Sequence, residues 1–218
     1  MKKIVYILIT ISLFIGCGSS NESGKKISTL GEVDNHKDII TTLFWVGEVA
    51  AIDNGNISNV PSAWDDNWSG SYGGVDDPYD RNGTFPRAFI PKENPFYFAL
   101  PYNDFTPEYK RKDSAKNIPW FSEAKEGVSI CKNRWIKITK DGISAYAQWE
   151  DVGPFGEDDF DYVFGKSKFK NEKKSKAGLD ISPAVMYFLG LEDVDKSDWE
   201  FVEYDNVPDG PWKKIVNY

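Results

Sequence analysis

A mainly β fold with one or two short helices is predicted by three features of the sequence. The apolar runs are short and interrupted by Gly, Pro, Asn and Asp, several alternate with period two, and an Asp-Gly pair joins two alternating runs. Alternation over about four to eight residues marks a half-buried strand, whereas a helix needs a longer run with a period of about 3.6.

The elements follow in chain order. Residues 1–16 open on Lys2 and Lys3, continue through an apolar stretch from Ile4 to Ile15 and end at Gly16, ahead of Cys17. That is the plan of a bacterial secretory signal, and the stretch is too short for a transmembrane helix, which needs roughly twenty apolar residues. Phe14-Ile15-Gly16-Cys17 resembles the lipobox of bacterial lipoproteins, with Phe14 where Leu is usual. The resemblance implies cleavage before Cys17, acylation of that cysteine and a domain held at a membrane surface facing the periplasm. Gly18 is not the aspartate that retains enteric lipoproteins at the inner membrane, which favours the outer membrane. Residues 17–37, mostly Ser, Asn, Gly, Lys and Glu, read as a flexible tether with an average reach of about 25 Å.

The folded domain is expected over residues 38–218. Its first strand is predicted over Thr42–Val49 and another over Pro95–Leu100. Arg134–Thr139 and Ile143–Glu150 flank Lys140-Asp141-Gly142, and Asp-Gly supplies the positive φ angles of a tight primed hairpin turn. Ile143, Ala145, Ala147 and Trp149 share one face of the second strand. Ser182 is a good N-cap, Pro183 suits the first helical position and Gly190 can end a short helix after Leu189. Trp199–Tyr204 and Trp212–Val216 are expected as closing strands. Three irregular stretches, 53–94, 105–129 and 156–177, are expected as loop insertions of the kind that line a site or cover an edge.

Composition excludes several classes of chemistry. The chain carries a net charge of −8, and loss of Lys2 and Lys3 with residues 1–16, which hold no acid, takes the remainder to −10. A nucleic-acid partner is therefore not expected. With Cys17 acylated, Cys131 is the last thiol, so stability must come from burial, and Cys131 is expected as a small buried apolar residue. The single histidine, His36, falls in the expected tether, which argues against His-dependent triads and most zinc sites. Neither a metal nor a cofactor is expected, and the domain is read as a monomer. The 34 acidic residues and the 8 Trp, 11 Tyr and 14 Phe leave carboxylate chemistry beside aromatic faces, the equipment of a sugar-binding cleft.

Two motifs sharpen this. Glu150-Asp151-Val152-Gly153-Pro154-Phe155 follows the alternating strand, and Leu179-Asp180-Ile181-Ser182-Pro183-Ala184 leads into the capped helix that closes on Leu189-Gly190. In that order they resemble the six-stranded double-psi β-barrel of rare lipoprotein A, the expansins and family-45 glycoside hydrolases. Thr42-Leu43-Phe44-Trp45-Val46-Gly47 looks like that family's first strand. The likeness covers about half of the chain beyond residue 16. It departs in having no histidine before the Gly-Pro strand, where Asn103 or Asp104 would have to substitute, and no expansin-type cysteine pairs.

The resemblance implies a cleft for cell-wall glycan or a related polysaccharide, with Asp151 as general acid or acid/base. A lytic transglycosylase can work with one carboxyl group that protonates the glycosidic oxygen and then takes a proton from the sugar's own hydroxyl. An inverting hydrolase needs a second carboxylate about 6.5–9.5 Å away, and Asp104 and Glu48 are the candidates. Trp45, Trp64, Trp68, Tyr102, Asn103 and Trp149 are the candidate sugar contacts. Asp180 is read as structural, serving backbone amides ahead of the helix cap. A purely structural Asp151, a non-catalytic expansin-like binder and an envelope lipoprotein without glycan contact are the alternatives. The acidic run at Glu157, Asp158, Asp159 and Asp161, the lysines from Lys166 to Lys176 and the Asn82-Gly83-Thr84 acceptor read first as solvated loop.

Overall fold

The computed structural model describes residues 36–52, 54–170 and 176–218. The signal and Cys17 lie outside the described residues, as does the expected tether up to residue 35. The strands are β1 (His36–Leu43), β2 (Arg81–Asn82), β3 (Phe85–Pro86), β4 (Tyr97–Leu100), β5 (Trp135–Lys140), β6 (Ile143–Val152), β7 (Leu179–Ile181) and β8 (Val194–Val202). The α-helices are α1 (Trp68–Tyr72), α2 (Phe160–Val163) and α3 (Pro183–Leu189). Six strands close a barrel in the order β1-β7-β4-β6-β5-β8, so the mainly β prediction holds. β1 with β7 and β4 with β6 run parallel; the other four barrel pairings are antiparallel.

Local chemistry explains the elements that the sequence announced. Lys140 pairs with Ile143 across a two-residue turn in which Asp141 and Gly142 have φ of 48° and 82°, the primed geometry that matches strand twist. Ser182 Oγ accepts from Val185 N–H to cap α3, and Gly190 at φ 66° ends it.

Four boundaries differ from expectation. β1 begins in the expected tether because His36 is only 8% exposed, stacked 3.7 Å from the Trp199 ring with Nε2 2.7 Å from the Tyr162 carbonyl. It ends at Leu43, and Gly47 at φ 82° turns the chain, so residues 44–49 leave the barrel. The strand that closes the barrel is Val194–Val202, with Tyr204 already in a short 3₁₀ turn. Trp212 is not on a strand. Pro211 brings no backbone donor, the segment Pro211–Lys213 forms a 3₁₀ turn, and the indole packs 5.8 Å from Phe96 and 5.3 Å from Phe188.

The barrel interior is filled, with Phe98, Ile138, Ala147, Trp149, Ile181 and Trp199 all buried. Along β6, Ala145, Ala147 and Trp149 point inward, and strict alternation would send Asp151 inward too. A β-bulge prevents it. Phe98 pairs with Trp149 but the next residue, Ala99, pairs with Asp151, so Glu150 is an extra residue and Asp151 emerges on the outer wall.

Candidate functional site

The outer wall carries a row of side chains fixed by register. Thr42 of β1 pairs with Asp180 of β7, Asp180 with Ala99 of β4, and Ala99 with Asp151 of β6. Registered neighbours point to one face of a sheet, so the two aspartates flank the small side chain of Ala99. Above them lies a cleft of about 540 Å³ whose floor is this row and the turn Val152–Phe155. Its opposite wall comes from Trp45, Glu48, Asn54, Ile57 and Asn59, and Tyr79, 81% exposed, stands at the rim.

That opposite wall is anchored by a second apolar cluster of Phe44, Val46, Trp68, Tyr72, Tyr97 and Ala99. Tyr97 Oη donates to Asp76 Oδ2 at 2.9 Å and accepts from Val46 N–H at 3.0 Å. Arg81 Nη1 meets the other oxygen of buried Asp76 at 2.5 Å. Within the wall, Glu48 Oε1 accepts from Asn54 Nδ2 at 3.0 Å and Oε2 from Asn59 Nδ2 at 2.7 Å, so this carboxylate organises the loop around it.

Asp151 is 7% exposed. Its Oδ1 accepts from the amides of Ala63 at 2.7 Å and Val152 at 2.8 Å, while no donor among the described residues reaches Oδ2. Burial raises its pKa to about 7, against the lowering effect of the two amides. Asp180 is likewise raised to about 7, chiefly by burial, with the Thr42 hydroxyl opposing and the negative charges of Asp151 and Glu48 adding. Thr42 Oγ1 donates to Asp180 Oδ1, where backbone amides were expected. A Cβ at Gly153 would lie 3.2 Å from Asp180 Oδ2, which is the spatial reason for glycine there.

Of the residues singled out from sequence, Asp151, Glu48 and Trp45 line this cleft. Asp104 does not. It is fully buried, ion-paired with Arg111, and accepts from Ser129 Oγ at 2.5 Å and from the Ile130 amide at 3.1 Å. Trp68 is 2% exposed in the second cluster, Tyr102 is buried with its hydroxyl 2.9 Å from Ser114 Oγ, and Trp149 is core, its indole N–H donating to the Asp151 carbonyl at 2.7 Å. Trp64 packs edge-on to Trp149 and donates to Asn103 Oδ1 at 3.2 Å, so these two brace each other beside the cleft. Sequence reasoning missed Asp180 as a cleft residue, together with Asn54, Asn59, Tyr79 and Asp193. Only Asp180 sat in a recognisable motif.

No protein-family model and no curated protein matches this chain. His36 is folded, yet it lies six residues along β1 from Thr42, about 20 Å at the rise of a strand. The Cys131 thiol is buried and its pKa is pushed well up by that burial. Among the described residues, no three His, Cys, Asp or Glu side chains group to hold a metal ion, and no helix is long and apolar enough to cross a membrane.

Proposed function

We propose that this is a lipid-anchored protein of the bacterial cell envelope whose barrel is of the double-psi kind and whose outer-wall cleft binds and cleaves peptidoglycan or a related polysaccharide. Support for the topology comes from the two parallel pairs and from the motif positions: Asp151-Val152-Gly153-Pro154-Phe155 leaves β6, and Leu179-Asp180-Ile181-Ser182 runs through β7 into α3. On this reading 53–94, 105–129 and 156–177 are insertions between barrel strands.

The observation that carries the activity is the state of Asp151. One oxygen is fixed by two amides, the other is left to the cleft, and a pKa of about 7 keeps a large protonated fraction at neutral pH. Protonated Asp151 would donate to the glycosidic oxygen as the bond to the leaving sugar breaks. In a lytic route the resulting carboxylate then accepts the proton of the sugar's own hydroxyl as that oxygen closes on C1. In an inverting route water attacks instead, and Asp180 takes the place proposed from sequence for Asp104 or Glu48. Two strand spacings separate Asp151 from Asp180, about 10 Å between Cα atoms, and a water between two carboxyls needs about 6.5–9.5 Å. Glu48, with an amide on each oxygen, is a positioning residue.

The test is incubation of the protein with purified peptidoglycan beside Asp151→Asn, with products resolved by chromatography and mass spectrometry. Anhydro ends support the one-acid lytic route and reducing ends the hydrolytic one, each lost in the variant. Binding by both proteins with no products would favour a non-catalytic, expansin-like module, a reading supported by the amide clamp on Asp151 Oδ1, which also suits a structural carboxylate. No co-sedimentation with glycan would leave an envelope lipoprotein of other function.

A further inference from the structure

The cleft is unusual in what it offers a ligand. Glu48, Asp151, Asp180 and Asp193 all contribute to its lining, and among the described residues that line it there is no Lys, Arg or His. Three of its side-chain donors face inward, the Asn54 and Asn59 amides committed to Glu48 and the Thr42 hydroxyl to Asp180, while the Trp45 indole and the Tyr79 hydroxyl also line it. What remains toward the ligand includes Asp151 Oδ2, which donates when protonated and accepts when ionised, beside exposed Tyr79 and the apolar surfaces of Ile57 and Val194. Neutral hydroxyl or amine groups on an apolar ring face match this lining. Where these acids are ionised, a ligand oxygen carrying negative charge is repelled, and no cation among the described lining residues offsets the repulsion.

We propose that the cleft takes sugar rings that are uncharged or bear an amine, and turns away glycans whose rings carry carboxylate, phosphate or sulfate. This rests on the glycan-binding reading above. Exclusion here is electrostatic, so it acts on polymers of the same backbone and length, and an ammonium group in place of an acetamide adds attraction.

Calorimetry with three β-1,4-linked hexamers on one backbone tests it: N-acetylglucosamine, glucosamine, and the N-acetylglucosamine hexamer oxidised to carboxylate at C6. The first two are expected to bind, the oxidised hexamer about tenfold or more weakly, with the gap narrowing in Asp180→Asn/Asp193→Asn. A thermal melt of that variant checks that it is folded, and Asp193→Asn alone serves if it is not. Equal or tighter binding of the oxidised hexamer overturns the exclusion while leaving glycan binding intact. Binding of none of the three, together with no co-sedimentation with peptidoglycan, overturns the glycan reading itself and this inference with it.

Discussion

Asp151 and Glu150 are neighbours in sequence with opposite fates, and each can be tested alone. Asn at position 151 can still accept from the Ala63 and Val152 amides, whereas Ala cannot. Asp151→Asn should abolish glycan cleavage with little loss of stability, and Asp151→Ala should cost a further ~1–3 kcal/mol by stranding those donors, read by urea denaturation. If Asn destabilises as much as Ala, the carboxylate charge itself holds the turn. Since the acid must be protonated, cleavage by the wild type should fall as pH rises through about 7.

Glu150 is 2% exposed, its Oε1 has no partner among the described residues, and burial lifts its pKa from an ordinary 4.5 to about 8. Between those values the folded protein holds a proton that the unfolded chain has released, so this group lowers stability as pH rises across that window, and fully above it. Glu150→Gln should thus be more stable than wild type by ~2 kcal/mol at pH about 8.5 and nearly equal at pH about 4, measured by denaturant titration at both. A stabilisation that is the same at the two pH values would show that charge is not the cause.

At the scale of elements, the hairpin and the capped helix were legible because their signals are local: Asp141-Gly142 carries its own backbone angles, and Ser182 needs only Val185 three residues on. The bulge at Glu150 was not. Alternation read along β6 puts Asp151 with Trp149, and only the pairing with β4, about fifty residues earlier, shifts it outward. The ion pair of Asp104 with Arg111 and the burial of His36 against Trp199 were hidden for the same reason, since polar surroundings in sequence say nothing of partners brought from elsewhere. The wall of the cleft depends on one such partnership. Asp76→Asn leaves the Arg81 side chain, 5% exposed, without its counter-charge and loosens the Asp76–Tyr97–Val46 link. It should cost ~3 kcal/mol of stability and weaken glycan affinity together, by urea melts and calorimetry. Loss of stability with unchanged affinity would separate that anchor from the cleft.

For the whole molecule, the proposed reading joins an acidic domain to a lipid anchor at Cys17. A tether averaging about 25 Å would confine the cleft to polymer lying near the membrane. Cys17→Ser should move the protein from the detergent-rich to the aqueous phase in cloud-point partitioning while leaving its cleavage of soluble glycan unchanged. Retention in the detergent phase would argue against acylation at that cysteine.

The row Thr42, Asp180, Ala99 and Asp151 stands on the outside of a filled barrel, and the facing wall is a separate stretch between β1 and β4. The reactive face and the barrel interior are thus distinct surfaces for the engineer. Interior residues such as Ile138 and Ala147 lie away from the reactive face, and exposed residues of the facing stretch such as Ile57 can be changed to alter which polymer the same two aspartates meet, provided Phe44 and Val46 stay to hold that stretch against Tyr97.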